Sequence, residues 1–147
     1  ASDSYILLSS GAPPGPILSS DFLWTWEGLD AVIWWRMQLE YADLMWLWVA
    51  PHHRNRGIGT SLLTCSLDYF VRETVVQRLH CEVDTTNENA ISLYKKLGFV
   101  QNRTRYKYYR DHTTGKTNDA YDMTLQIADH KNIKTKLKGL FLKNDDT

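Results

Sequence analysis

Residues 47–63 read LWVAPHHRNRGIGTSLL. An apolar run stops at Pro51, a short turn gathers two histidines, two arginines and two glycines, and a leucine-rich run follows. Proline has no N–H to give to a strand ladder, so Pro51 predicts the end of a strand. After Gly57, Ile58, Leu62, Cys65 and Tyr69 recur at helical spacing, with Leu63, Leu67 and Phe70 beside them. That pattern predicts an amphipathic helix of about 16 residues. A strand, a glycine turn and a helix in this order form an anion site. The first N–H groups of a helix have no partner within it, and the helix dipole adds partial positive charge there. Gly57 and Gly59 let the backbone close on a phosphate, and Arg54 and Arg56 add charge. A nucleotide-binding Walker loop is excluded because no Lys follows Gly59, and a dinucleotide loop because Ser61-Leu62 stands where a third glycine would be. On spacing alone the owner of the phosphate stays open.

Working outward, the chain before this turn is rich in tryptophan. All six tryptophans lie between Trp24 and Trp48. Trp24 and Trp26 are two apart, as are Trp46 and Trp48, which is the period of a strand. Strands are predicted over 22–27, 31–38 and 43–50, with Gly28-Leu29-Asp30 turning between the first two. The tryptophans read as sheet packing, with one or two as a wall of a substrate groove. Residues 1–20 hold GAPPGP and serine pairs and are expected to be irregular.

Downstream, residues 78–84 alternate. Leu79, Cys81 and Val83 take one face, and His80, Glu82 and Asp84 the other, which predicts a strand with a polar face. TTNEN at 85–89 supplies helix-capping residues. Ala90, Leu93, Tyr94 and Leu97 then share one helical face, and Gly98 suits the left-handed residue after a helix. Residues 99–109 and 120–127 read as two more strands joined by a polar loop over 111–119. The order predicts a single mixed α/β domain without repeats.

Composition narrows the function classes. In 147 residues, 43% are hydrophobic, enough for one domain with a core. Lys plus Arg and Asp plus Glu are 17 each, so no net basic charge favours nucleic acid, and no direct nucleic-acid contact is expected. Cys65 and Cys81 lack a metal-binding spacing and are expected to be core residues. His52 and His53 are expected at the surface beside the turn, not as metal ligands, because no third ligand has suitable spacing. With no apolar run of about 18 residues and no signal-peptide pattern, a soluble cytoplasmic domain is expected. Residues 131–147 are basic, and Ile133, Leu137, Leu140 and Phe141 fall at helical spacing. They read as a solvated tail or packed helix appended to a domain over 1–130, with a membrane- or ribosome-facing helix as the alternative.

Glu82, Asn87 and Tyr94 put a carboxylate, an amide and a phenol around one strand–helix junction. A carboxylate can take a proton, and a phenol can give one to a leaving group. Taken alone, Glu82 reads first as a solvated strand residue and Tyr94 as a core aromatic, because exposed carboxylates are common.

Two runs together resemble the GNAT superfamily of N-acetyltransferases. LWVAPHHRNRGIGTSLL resembles its acetyl-CoA-binding segment, whose R/Q-x-x-G-x-G/A turn is met by Arg54, Gly57 and Gly59. HCEVDTTNENAISLYKKLGF is similar to its second half, with Asn87, Ala90, Tyr94, Gly98 and Phe99 meeting the N-x-x-A, Tyr and G-F pattern. RYKYYRDHTTGKTNDAYDMTL is similar to the tail of the branch that acetylates protein N-termini, with Tyr108-Tyr109 and Asp119-Ala120 at its pattern positions. The resemblance covers residues 43–127. It implies a mixed, mostly antiparallel central sheet flanked by helices, and acetyl-CoA as cofactor. It implies that Leu47, Trp48 and Val49 line the acetyl and pantetheine arm, partly through backbone groups. Arg54, Asn55, Arg56, Gly57, Ile58, Gly59 and Thr60 would hold the pyrophosphate, and Asn87 the cofactor arm. Glu82 would be the general base, Tyr94 the general acid, and Tyr108 and Tyr109 would lie beside the substrate. The implied substrate is a peptide or protein α-amine, with room for an auxiliary subunit or the ribosome as partner and no membrane expected. Acetylation of lysine or a small amine, and an acetyl-CoA-binding module without catalysis, are the alternatives. Family members place a strand and two helices before the strand at residue 22, so the N-terminal helices are expected to be short or missing here.

Overall fold

A computed structural model describes residues 16, 18–26 and 28–127 of the chain. Six strands and two helices alternate in the order β1 (Asp21–Trp26), β2 (Ala31–Gln38), β3 (Tyr41–Val49), α1 (Ile58–Glu73), β4 (Arg78–Asp84), α2 (Glu88–Leu97), β5 (Val100–Arg110) and β6 (Thr117–Gln126). They form one sheet in the order β1-β2-β3-β4-β6-β5. Every pair is antiparallel except β3 with β4. The mixed sheet expected from the element order is therefore present. Expected structure at residue 27, before residue 16 and beyond residue 127 lies outside the described residues.

Periodicity located β2 and β4 to the residue, and α1 has the expected length of 16 residues. Two loops were read too long. β3 starts at Tyr41 because Leu39, with φ 49°, turns the chain tightly enough for Gln38 to pair with Tyr41. β6 begins at Thr117, inside the expected 111–119 loop, because Asp111 closes the loop early. Its carboxylate accepts from Thr113 N at 2.8 Å, its carbonyl from Gly115 N at 2.8 Å, and its N–H donates to Lys116 O at 2.9 Å.

Both helices pack on one face. Leu62, Leu63, Leu67 and Phe70 of α1 join Ala90, Tyr94 and Leu97 of α2 against Ile33, Trp35, Leu44, Leu47, Leu79, Cys81 and Met123. Inside this core the Trp35 indole donates to Ser66 Oγ at 2.9 Å. Cys81 is buried as expected, but Cys65 is exposed. The buried stripe of α1 runs through Leu62, Leu63, Ser66 and Phe70, which turns position 65 outward.

A β-bulge in β3 decides which side chains face which way. Trp34 pairs with Trp46 but Trp35 pairs with Leu44, so Met45 has no partner in the β2 ladder. A residue inserted into one strand reverses the alternation beyond it. Ala42 and Leu44 point into the core before the bulge, and Leu47 and Val49 after it. Trp46 and Trp48 are thereby turned to the opposite face, where they stack with centroids 6.1 Å apart. The tryptophans thus divide: Trp24, Trp26 and Trp35 pack with the helices, while Trp46 and Trp48 face away from them.

Candidate functional site

Strands β3 and β4 form a fork. They pair only where Tyr41, Ala42 and Asp43 meet Arg78, Leu79 and His80. Beyond that point β3 continues to Val49 and β4 to Asp84 with no ladder between them. Each keeps its other neighbour, β2 or β6, so the unpaired edges face one another across the fork. Open edges present N–H and C=O groups to an extended ligand.

The glycine turn stands at the end of β3. A one-turn 3-10 helix, Pro51–His53, leads into it. Asn55 and Gly57 take left-handed φ of 64° and 78°, which wraps the chain into the first turn of α1. No side chain caps α1 and its first turn carries no acidic residue, so no side chain competes with an anion for the N–H groups at its start. Arg54 donates its Nε to Val49 O at 2.8 Å, fastening the turn to the end of β3. The side chains of Leu47 and Val49 lie in the core, so any contact they make in the fork is through backbone. Trp48 is half-buried on the opposite face. Asn87 caps α2, its Oδ1 accepting from Ala90 N at 3.1 Å, which commits that oxygen to the helix.

Glu82 and Tyr94 belong to opposite faces of β4. Tyr94 is fully buried with Cys81 and Val83 on the helix side and packs on Phe99 at 5.4 Å. Glu82 is half-buried on the other side, paired across the ladder with Asp122. They flank the strand that lines the fork, and do not form one ring of groups. Asp84 departs from its expected polar-face exposure. It is buried and accepts from Thr86 N at 2.8 Å, Thr86 Oγ1 at 2.6 Å and Asn118 Nδ2 at 3.0 Å, so it builds the β4–α2 corner.

Around Glu82 the sheet assembles an ionic network that sequence reasoning missed. His80 sits at the apex of the fork. Its Nδ1 lies 3.0 Å from Asp43 Oδ1 and its Nε2 3.2 Å from Asp122 Oδ1. Two carboxylates facing both ring nitrogens call for the doubly protonated imidazolium. The bond to Asp43 is the main cause of a raised His80 pKa, against burial and aided by Glu82, Asp122 and the charge of Asp43. Asp122 also accepts from Arg103 Nε at 2.5 Å and Arg105 Nε at 2.8 Å. Burial pushes its carboxyl up, but hydrogen bonds from Arg103, Arg105 and His80 outweigh it and the pKa is lowered. Glu82 Oε1 is 3.7 Å from His80 Nε2 and 4.0 Å from Arg105 Nη2. Its pKa is raised because burial dominates, while His80 and Arg105 pull it back. A carboxylate lifted in this way is a better proton acceptor than a solvated one.

Tyr108 and Tyr109 come to the same place. In β5, Arg105 pairs with Ala120 and Tyr109 with Asn118, so residues 106–108 bulge past a single partner. Lys107 turns there with φ 54°, its N–H held by Asp119 Oδ1 at 2.8 Å. The two rings meet edge-on at 5.0 Å, and Arg105 lies over Tyr108 at 5.5 Å. Burial, then the charge of Glu82, raises both phenol pKa values. Trp46, turned outward by the β3 bulge, keeps a buried indole N–H with no hydrogen-bond partner among the described residues. No signal in the sequence pairs Asp122 or the two arginines with Glu82, because that needs the β4–β6–β5 register.

A mixed sheet, antiparallel except between β3 and β4, with helices packed on it is the arrangement that the resemblance implied. Residues 25–99 match the acetyltransferase (GNAT) family. The chain belongs to the GNAT family. Among relatives of this GNAT chain, an N-alpha-acetyltransferase of Sulfurisphaera tokodaii is 38% identical over 63 residues, 43% of this chain and 38% of that one. The [ribosomal protein bS18]-alanine N-acetyltransferase of Escherichia coli K12 is 36% identical over 90 residues, 61% of this chain and 59% of that one. The crystal structure of the Escherichia coli ribosomal-protein-S18-alanine N-acetyltransferase superposes with a TM-score of 0.68 at 30% identity, over 76% of this chain and 72% of that one. The alignments thus span 38% to 59% of these two curated relatives. Among the described residues no helix is long and apolar enough to cross a membrane.

Proposed function

We propose that this GNAT chain transfers acetyl from acetyl-CoA to a primary amine, and that the amine is the α-amino group of a peptide or protein N-terminus. The observation that carries this is Glu82: a half-buried carboxylate of raised pKa on the face away from the helices, with Tyr108 and Tyr109 near enough to feel its charge. The names of the relatives support the substrate class, since two of them act on α-amines or on the alanine of a ribosomal protein.

The turn fits the cofactor by its donor set. The uncapped start of α1, with Arg54 and Arg56, would hold the pyrophosphate; Asn55, Ile58, Gly59 and Thr60 complete the cradle. Backbone groups of Leu47, Trp48 and Val49 would meet the arm, and the Asn87 Nδ2 amide would add a donor. Acetyl-CoA supplies the activated thioester. Glu82 takes the proton of the incoming ammonium at Oε1 or Oε2, directly or through water. Tyr94 Oη holds the proton that a departing thiolate needs. The Trp46 indole N–H suits a carbonyl of the acceptor.

Proton bookkeeping favours the α-amine. With a pKa near 7.7–8.0, roughly a fifth to a third of it is neutral at about pH 7.4, whereas about a thousandth of lysine is. The difference of roughly 2.5 units is about 3.4 kcal/mol that a lysine enzyme must supply. Charge balance argues against a polyamine. His80, Arg103 and Arg105 offset Asp43, Glu82 and Asp122, which leaves no net acidic trap in this cluster for a second ammonium. On this reading the chain works on cytoplasmic protein N-termini, with an auxiliary subunit or the ribosome presenting them, and residues 131–147 are a basic appendage to the transferase domain.

A thiol-release assay over N-terminal peptides, lysine peptides and polyamines tests the proposal. Release with N-terminal peptides, lost in Glu82→Gln and Tyr94→Phe with acetyl-CoA affinity kept, is the expected result. Release with lysine or polyamines alone refutes the substrate class. Tight acetyl-CoA binding without release from any amine refutes catalysis and leaves a binding module.

A further inference from the structure

The segment between β3 and the glycine turn carries two adjacent histidines that acetyl transfer does not use. Their spacing in sequence offers no third ligand, but the fold brings one. Asp30, in the turn between β1 and β2, places Oδ2 3.2 Å from His53 Nε2 and 4.0 Å from His52 Nε2. One donor atom from each residue lies within 4.8 Å of the other two. We propose that Asp30, His52 and His53 form a binding site for a first-row divalent transition metal such as zinc.

Both donor loops are fixed before any ion arrives. Ala50 N donates to Asp30 O at 2.7 Å, and His53 N to Ala50 O at 2.9 Å. The His53 ring is set edge-on against Trp26 at 4.8 Å and lies 4.1 Å from the His52 ring. Tetrahedral zinc bonds of about 2.0–2.2 Å put neighbouring donors roughly 3.3–3.6 Å apart. His53 and Asp30, at 3.2 Å, already stand close to that separation. His52 has to close by less than an ångström, and its side chain is 68% exposed and free to turn. Two imidazoles and one carboxylate suit zinc, nickel, cobalt or copper and not the all-oxygen preference of magnesium or calcium. A three-ligand site keeps positions open for water.

A second cluster, His80, Glu82 and Asp122, meets the same distance condition and fails on charge. Two guanidinium groups already bind Asp122, and His80 faces a carboxylate on each ring nitrogen, so a cation there meets protons and positive charge. Asp30 has no Lys or Arg partner among the described residues. An ion on the surface cluster would tie the β1–β2 turn to the 3-10 turn that leads into the cofactor turn, bracing the end of β3 without entering the site around Glu82.

Calorimetric titration of the chelator-treated full chain with zinc chloride tests this, with a cobalt titration read in the visible spectrum for nitrogen and oxygen ligation. The expected result is one equivalent bound, with affinity falling at least about tenfold in His52→Gln and in Asp30→Asn. Affinity is expected to be unchanged in Cys65→Ser and His80→Asn, and magnesium to give no heat. Saturating zinc should raise the melting temperature by about 5 °C or more. His52 is exposed, so its variant keeps the fold and the test stands. Absence of zinc binding, binding that survives both His52→Gln and Asp30→Asn, or loss only in His80→Asn would each overturn the proposal. None of these readouts requires acetyl transfer.

Discussion

Inserting one alanine between Trp34 and Trp35, opposite Met45, should do far more damage than removing the Met45 side chain. Met45 is the extra residue of the β3 bulge, and β3 leaves β4 just before it. Once β2 supplies a partner for Met45, the alternation of β3 must run unbroken, and two repairs are open. If the first half of β3 holds its phase, Trp46 and Trp48 turn into the core while Leu47 and Val49, both fully buried, turn out. Exposing those two side chains costs about 1.5–3 kcal/mol each. Forcing indoles into positions shaped for leucine and valine adds about 1–3 kcal/mol. The sum of roughly 4–9 kcal/mol rivals the 5–15 kcal/mol by which a domain is typically stable. If the second half holds its phase instead, Ala42 and Leu44 leave the core and Asp43 enters it. That strips the 3.0 Å contact from His80 and buries a charge without a partner.

The control is Met45→Ala, which keeps the register. Met45 is half-buried, so the loss should be about 1–2 kcal/mol, below the range for a fully buried methionine. Urea unfolding followed by tryptophan fluorescence, with acetyl-CoA affinity by calorimetry, compares the two. The insertion should be unfolded or several kcal/mol weaker and should lose the cofactor. Equal midpoints and equal affinity in the two variants would refute the role given to the bulge.

Three further outcomes follow from the site and the core. His80 has a raised folded pKa, so the stability it contributes is complete below its unfolded value near 6.5 and is lost as pH rises through the folded value; His80→Gln should flatten the decline of the urea midpoint above about pH 6.5, and an unchanged slope would remove the imidazolium from the network. Burial raises Glu82, so the acid limb of kcat/KM should lie above the ordinary glutamate range, and an acid limb at the model-peptide position of 4.5 would separate Glu82 from proton removal. Trp35→Phe deletes a buried 2.9 Å bond to Ser66 and should cost about 1–3 kcal/mol in urea unfolding, with acetyl-CoA affinity kept.

What could be read along the chain was what repeats along the chain. Apolar spacing located α1, and Gly98 marked the end of α2 because a left-handed residue, φ 104°, was needed there. The alternation of residues 78–84 was enough to put Glu82 on the face opposite Cys81 and Val83, and two spaced runs were enough for the family. The bulge was not legible. In LMWLWV every residue is apolar, so nothing local says which of two adjacent residues goes inward. That choice is made by the neighbouring strand, through Trp34 against Trp46 and Trp35 against Leu44.

The same limit explains the site. Glu82 stands in its own strand's pattern and could be singled out, yet its acid–base character comes from groups that the pattern does not connect. His80 reaches Asp122 across 42 positions and Asp43 across 37. Arg103 and Arg105 reach Asp122 only because a bulge at Asn102 sets the β5 register. Asp30 reaches His53 across 23 positions through the β1–β2 turn. In each case one partner is an ordinary charged residue on an ordinary strand or turn, and carries no mark of its role. A carboxylate becomes a base, and two surface histidines become a candidate metal site, only when the register supplies their neighbours. Substitutions that slide a strand by one residue should therefore disturb the chemistry more than many that remove a single polar side chain.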